Sequence, residues 1–318
     1  MNHANPSRSG ELARNVEVAL RFKKMQGTPE MSQVEKEVLA PNYDRVRGGN
    51  LHLANNARDQ GWPHPALYLR AALPDRVDVM EQVIADGDRV GLLFRVTGTH
   101  TGNFFGIPAT GKKIDVYEVA LLRIVNGQMV EGWYMMDEAE LLRQLGAKLP
   151  PRADGKLVAP PIPQTLDATT FIRQLEQQPA ISLQERNKLA AAHTRLSPRA
   201  RTGAGRHLRQ GFEHLRAYSK AQGYGELDID GAFPDRGYGM DVLLAEGDQV
   251  WMRFNVSGTH RGSLCGIAPT GRRVGVHGVS IMNFKDGEWA DSWTFADELG
   301  LLLQLGQPGW LMGEHRMS

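Results

Sequence analysis

Apolar residues recur at helical spacing over 11–25 (Leu12, Val16, Ala19, Leu20) and 31–39 (Val34, Val38), which predicts two amphipathic helices near the start of the chain. Residues 165–193 repeat that periodicity, and 67–73 read as a further helical turn closed by Pro74. Downstream the pattern changes to alternation. Residues 90–97 and 249–257 each follow a Gly-Asp turn, and 113–125 run into Asn126-Gly127 and a further strand ending at Met136. Asp286-Gly287 places the same hairpin signal later in the chain. Helices followed by a strongly bent antiparallel sheet predict an α+β architecture rather than a βαβ one.

The chain is an internal repeat. VTGTHTGNFFGIPATGKKIDV at 96–116 aligns without a gap to VSGTHRGSLCGIAPTGRRVGV at 256–276, with 10 of 21 positions identical at an offset of 160. The same offset maps Pro74-Asp75-Arg76 onto Pro234-Asp235-Arg236, Trp133 onto Trp293, and Asp137-Glu138 onto Asp297-Glu298. A period this long exceeds the roughly 20–50 residues of solenoid repeats, so each copy is expected to own a core. The proline-rich, aperiodic stretch between the copies reads as an extended linker. The expected division is a first domain at 11–150, a linker at 151–164 and a second domain at 165–318, with the halves paired as an intrachain pseudo-dimer open to further homo-oligomerisation.

Composition narrows the function classes. Lys plus Arg is 37 and Asp plus Glu is 36, so no basic excess is present to neutralise a phosphate backbone, and nucleic acid is not an expected partner. One cysteine, Cys265, leaves no intrachain disulfide framework and fits a reducing, cytoplasmic setting. No run approaches the roughly 18 apolar residues of a membrane span, and the polar first ten residues do not read as a signal peptide. The glycine-rich turn at 102–111 lacks a Gly-Lys-Ser/Thr ending and leads into a strand, and no GxGxxG, HExxH or GxSxG pattern is present. No cofactor and no metal is therefore expected.

His100 and His260 are the sharpest chemical candidates. If the pleat continues past 97, His100 shares a face with Val90, Leu92, Phe94 and Val96, and His260 shares one with Val250, Met252, Phe254 and Val256. Burial disfavours the imidazolium and brings titration into a range useful for proton transfer; a buried histidine bracing the Gly-Thr-His-x-Gly corner fits the same placement. Asp115 and Tyr117 lie two apart on the next strand, where a carboxyl among apolar neighbours can act as a general base or remain a solvated strand-end group. The second copy has Gly275 and His277 there. Phe94, Trp133 and Trp293, with Tyr117, His260 and His277, are candidates for a substrate-binding wall, the tryptophans equally for the core. Asp137 and Asp297, just before Leu-rich segments, read as helix caps.

Gly-Thr-His-x-Gly, Gly-Ile, Thr-Gly-Lys/Arg, Asn/Asp-Gly, Trp, Asp and Gln-Leu-Gly together resemble the SnoaL-like polyketide (ester) cyclase family of the nuclear transport factor 2-like superfamily, over about 75–150 and again over 234–306. The resemblance implies two tandem cone-shaped α+β barrels, each a curved antiparallel sheet with N-terminal helices around a deep pocket. It also implies cofactor-independent acid/base chemistry, by an Asp assisted by a His, on a carbonyl compound. Carried onto this chain, the His falls on His100 and His260 and the nearest Asp is Asp115. The expected activity is proton transfer alpha to a carbonyl on a hydrophobic small molecule, as in an aldol cyclase, isomerase or lyase. A non-catalytic small-molecule binding protein with a degenerate second domain is the alternative.

Overall fold

The computed structural model describes residues 10–48, 51–104, 106–179, 182–196 and 205–307, which divide into two compact units at Pro160/Pro161. In the first unit, α1 (Gly10–Lys24) and α2 (Met31–Val38) lead into β1 (Leu39–Arg47), α3 (Leu51–Asp59) and α4 (Pro65–Ala72). Then come β2 (Val77–Asp86), β3 (Arg89–Thr99), β4 (Lys113–Val125), β5 (Gln128–Met136) and α5 (Glu138–Leu145). The sheet runs β1-β5-β4-β3-β2, antiparallel except for the parallel β1–β5 pair. It is therefore mixed, and it stays open between edge strands β1 and β2 rather than closing as a barrel. Asn126 and Gly127 at φ 52° and 76° make the primed turn joining β4 to β5.

The second unit repeats the plan with β8 (Gly237–Glu246), β9 (Gln249–Thr259), β10 (Arg273–Lys285), β11 (Glu288–Ala296) and α10 (Glu298–Leu305), preceded by β7 (Arg206–Arg209), α8 (Glu213–Ala221) and α9 (Ile229–Ala232). The helical stretch expected at 165–193 is three elements: β6 (Leu166–Asp167), α6 (Ala168–Glu176) and α7 (Leu183–His193). Pro179 lies between the two helices, and each starts on its own cap. Asp167 accepts from Thr170 N at 3.0 Å, and Ser182 and Glu185 form a capping box. The order β6-β8-β9-β10-β11-β7 again includes one parallel pair, β11–β7, and an open sheet.

One helix face packs over each sheet. On α1, Val16, Ala19, Phe22 and Lys23 are buried; on α7, Ala191 and Ala192 join a core with Ile172, Met252, Phe254 and Phe284. Burying Phe22 alone contributes on the order of 2–3 kcal/mol. Aligned by their buried asparagines, Asn15 and Asn187, the two helices repeat at an offset of 172 rather than 160, which pairs Lys23 with Arg195. The repeat thus extends into the N-terminal helices, in a register that differs from the strands by twelve residues.

The shared sequence motif is largely scaffold. Asp75 accepts from Thr99 N and Oγ1 at 2.6 and 2.7 Å, and Asp235 accepts from Thr259 N and Oγ1, both at 2.7 Å. These bonds hold both carboxyls below the usual range. Thr101 N and Gly102 N both donate to Ala72 O at the end of α4, and a Cβ at 102 would come within 2.3 Å of Ala71 O, so glycine is required there. Asp137 and Asp297 cap α5 and α10, accepting from Glu140 N at 3.1 Å and Gly300 N at 2.8 Å.

Candidate active site

His100 completes the corner that this scaffold builds. Its N–H donates to Lys112 O at 2.8 Å, its carbonyl accepts from Gly111 N at 2.8 Å, and Nδ1 accepts from Thr110 N at 3.3 Å with Thr110 Oγ1 at 2.9 Å. A backbone N–H on Nδ1 assigns the ring proton to Nε2. The side chain is fully buried against Phe104, and burial lowers its pKa, only partly opposed by the Gly102 backbone. His260 has the same bonds to Thr270, at 3.1 and 3.2 Å, lies 5.2 Å from the Phe233 ring, and is also pushed down by burial. Both histidines brace corners, and neither lines a described cavity.

Asp115 stands on the other side of the sheet from the first unit's cleft. In the β3–β4 register it opposes Thr97, whereas Phe94 opposes Glu118. Its carboxylate pairs with Arg95 at the surface, its side chain 49% exposed, and Gln144 clamps its backbone. Tyr117 and Trp133 share that side by alternation, Trp133 buried in the core and Tyr117 half-buried. The expected His100–Asp115 pair is therefore not assembled, because the bend at 100 removes the histidine from the pleat while alternation sends the aspartate outward.

What the fold does assemble lies between α1, α4 and the opposite sheet face, around a narrow cleft that opens to solvent. Its lining includes Lys23, Gln26, Arg45, Arg76, Glu118 and Tyr134, with Tyr68, Phe104 and Met136 as apolar wall. Lys23 Nζ lies 3.2 Å from Asp78 Oδ2 and 3.7 Å from Glu118 Oε2, and 3.8 Å from the centre of the Phe94 ring. Arg76 grips Asp78 through two bonds of 2.8 and 3.0 Å. The Lys23 and Glu118 side chains are only 6% and 5% exposed. Burial lowers the Lys23 pKa against the pull of Asp78 and Glu118; burial would raise Asp78, but Lys23 and Arg76 outweigh it and its pKa falls.

Across the cleft, Tyr134 and Tyr43 hydroxyls meet at 2.9 Å, with Arg45 over the Tyr134 ring at 5.3 Å. Burial raises both phenols, Tyr134 strongly, so both are neutral donors at ordinary pH. Since one shared bond uses one phenolic proton, the pair retains another for a ligand. Arg76 Nη1 and Gln26 Nε2 are buried donors with no hydrogen bond among the described residues. A buried carboxylate opposite hydroxyl and amide donors can remove a proton from a carbon acid and receive the enolate oxygen.

Phe94 is the one expected wall residue found beside this cluster. Glu118, Lys23 and Tyr134 escaped the sequence reading, although the first two carry a signal. Glu118 is the one charge on the β4 face of Ile114, Val116, Ala120 and Leu122, and Lys23 follows Ala19 by four on the apolar stripe of α1.

In the second unit the equivalents of Asp78, Glu118 and Tyr134 are Tyr238, Gly278 and Thr294. A Cβ at 278 would lie 2.5 Å from the Phe254 ring, which occupies the carboxylate's space. His277 is held neutral, its pKa lowered to about 4 by burial and by Arg253, with Asp241 opposing. Trp293 lies on the same side by alternation, with Arg209 5.4 Å from its ring.

Two α+β units, each laying helices over one face of an open sheet, with a polar-centred cleft in the first, define a duplicated α+β architecture. Residues 60–145 and 187–305 match the family of SnoaL-like polyketide cyclases, and the chain belongs to that family. Over 69 residues it is 36% identical to aklanonic acid methyl ester cyclase AcmA of Streptomyces galilaeus, a match spanning 22% of this chain and 47% of that relative. Among solved structures, it is similar to a SnoaL-like protein of Jannaschia sp. CCS1 (28% identity, 44% of this chain and 96% of that one, TM-score 0.37). AclR of Streptomyces galilaeus is also similar (26% identity, 43% and 98%, TM-score 0.37). Among the described residues no His, Cys, Asp and Glu side chains group as a metal site, and no helix is long and apolar enough to cross a membrane.

Proposed function

We propose that the first unit is a cyclase-like enzyme that moves a proton alpha to a carbonyl of an apolar small molecule. Glu118 is the base: its carboxylate takes the carbon-bound proton, and Lys23 and Arg76 compensate its charge and that of Asp78 before and after transfer. Tyr134, backed by Tyr43 and Arg45, donates to the oxygen on which the enolate charge develops. The enolate carbon then attacks an electrophilic carbonyl of the same molecule, whose π electrons move to oxygen and take the proton back from Glu118, or is itself reprotonated by Glu118, so no external oxidant or reductant enters. The observation that carries this reading is the placement of a 5%-exposed carboxylate and a buried phenol around one cleft walled by Tyr68, Phe104 and Met136. His100 supports the cleft through Phe104 rather than touching substrate. The second unit, without the carboxylates, serves in binding.

Deuterium uptake from D2O into a panel of β-keto esters tests the proposal. Wild type exchanges the alpha hydrogen, Glu118→Gln lowers the rate on the order of 100-fold or more, and Asp115→Asn leaves it within about twofold. Exchange that survives Glu118→Gln and is lost in Asp115→Asn would return the base to Asp115. Saturable binding of the panel without exchange would favour the binding-protein reading.

A further inference from the structure

Among the described residues lining the first unit's cleft, Lys23 is the one primary amine, and the chemistry above uses it only for its charge. Its place follows from α1: Ala19 and Phe22 precede it on the buried face, and the helix carries the amine below the surface to end 3.8 Å from the centre of the Phe94 ring. Two carboxylates meet it there, Asp78 Oδ2 at 3.2 Å and Glu118 Oε2 at 3.7 Å. Arg76 already holds Asp78 through bonds of 2.8 and 3.0 Å, so Lys23 is not needed to neutralise that acid. A proton moved from Nζ to Glu118 therefore turns two buried charges into two neutral groups. Burial, with Arg76 adding to it, lowers the Lys23 pKa against the pull of Asp78 and Glu118. A desolvated amine beside a proton acceptor is the setting in which lysine becomes a nucleophile. Where the chain aligns with itself, the second unit has Arg195 at this position, 4.1 Å from the Phe254 ring. A guanidinium keeps the cation without a nucleophilic amine, so the amine is confined to the unit that holds Glu118.

We propose that Lys23 captures a small aldehyde or ketone in this cleft as an imine. The Lys23 ammonium passes one proton to Glu118, and the amine nitrogen adds to the carbonyl carbon, whose π electrons move to oxygen. That oxygen takes one proton back from Glu118 and a second from the nitrogen, then leaves as water. A C=N bond replaces C=O, the nitrogen keeps one proton, and addition of water reverses the sequence. The iminium beside the Glu118 carboxylate stands where the ammonium stood, so capture creates no net buried charge. The ligand class is an unhindered aldehyde or ketone, since an ester carbonyl does not give an imine. An iminium also draws electrons more strongly than the carbonyl it replaces, and removal of the alpha proton by Glu118 then yields an enamine. That second step rests on the proton transfer proposed above; the capture itself does not.

Incubation of the full chain with acetylacetone, and with ethyl acetoacetate followed by borohydride, tests this. Acetylacetone condenses with an amine to a conjugated enaminone that absorbs in the ultraviolet, and borohydride fixes the keto-ester imine as a secondary amine. Intact mass is expected to show one adduct per chain in each case, with the mass of the probe less water, plus two hydrogens after reduction. Peptide mapping is expected to place it on Lys23, at least about tenfold ahead of a solvent-exposed amine such as Lys156, whose side chain is 76% exposed. Lys23→Arg, which keeps the cation as Arg195 does in the second unit, loses the adduct and the absorbance. If that variant fails to fold, the mapped position in wild type decides. No adduct, an adduct spread over exposed lysines, or one that persists in folded Lys23→Arg would each overturn the assignment. An adduct on Lys23 without deuterium exchange into the keto ester supports the capture while the proton-transfer reading fails; exchange without an adduct overturns the capture and leaves that reading standing.

Discussion

Replacing His277 by glutamine isolates the cost of keeping an imidazole neutral inside the second sheet. His277 lies on β10 opposite Asn255 of β9, close to an Arg253 guanidinium that is itself locked onto Asp241 at 2.8 and 2.7 Å. Burial, then Arg253, lowers its pKa from 6.5 to about 4, with Asp241 pulling the other way. A base with a folded pKa below its unfolded one takes up protons preferentially in the unfolded chain. Stability from this group is therefore complete above about pH 6.5 and is lost as pH falls toward 4, levelling off below. With these two values, linkage predicts a loss of about 2 kcal/mol at pH 5 and about 3 kcal/mol at pH 4. Urea unfolding of wild type and His277→Gln, at about pH 7.5 and pH 5, reads the difference directly, since His100 and His260 titrate equally in both proteins. The variant is expected to lose about 2 kcal/mol less than wild type over that interval. Parallel pH dependences, or a His277 proton resonance titrating near 6.5 in the folded protein, would refute the reasoning.

The other predictions concern the scaffold. Asp115→Asn removes an exposed ion pair with Arg95 and is expected to change stability by no more than about 1 kcal/mol, measured by chemical denaturation. His100→Ala and His260→Ala each empty a fully buried position and leave Thr110 or Thr270 without its ring partner; thermal melts should show each costing on the order of 2–4 kcal/mol, and an unchanged midpoint would deny them the bracing role. Asp137→Ala leaves the first turn of α5 uncapped and should cost about 1 kcal/mol, a loss that Asp137→Ser largely restores.

The duplication, the α+β order, the hairpins at Asn126-Gly127 and Asp286-Gly287 and the caps at Asp137 and Asp297 were legible in the sequence because each rests on local periodicity or on a residue's own backbone preference. So was the Gly-Thr-His corner, and its recurrence marks what both units need in order to fold. The elements missed depend on distant partners. β1 and β7 are strands because each pairs in parallel with the last long strand of its sheet, and such pairing leaves little local pattern. The candidate site belongs to the second kind. Lys23, Asp78, Glu118 and Tyr134 are spread over more than a hundred residues, and only the packing of α1 across β2, β4 and β5 brings two carboxylates and an amine out of water together. The same packing in the second unit, with Gly278 and Thr294 in place of Glu118 and Tyr134, brings Arg195 to the Ser280 hydroxyl. A residue's charge is written in the chain, but whether that charge is buried, and beside which other, is decided when the helices close over the sheet.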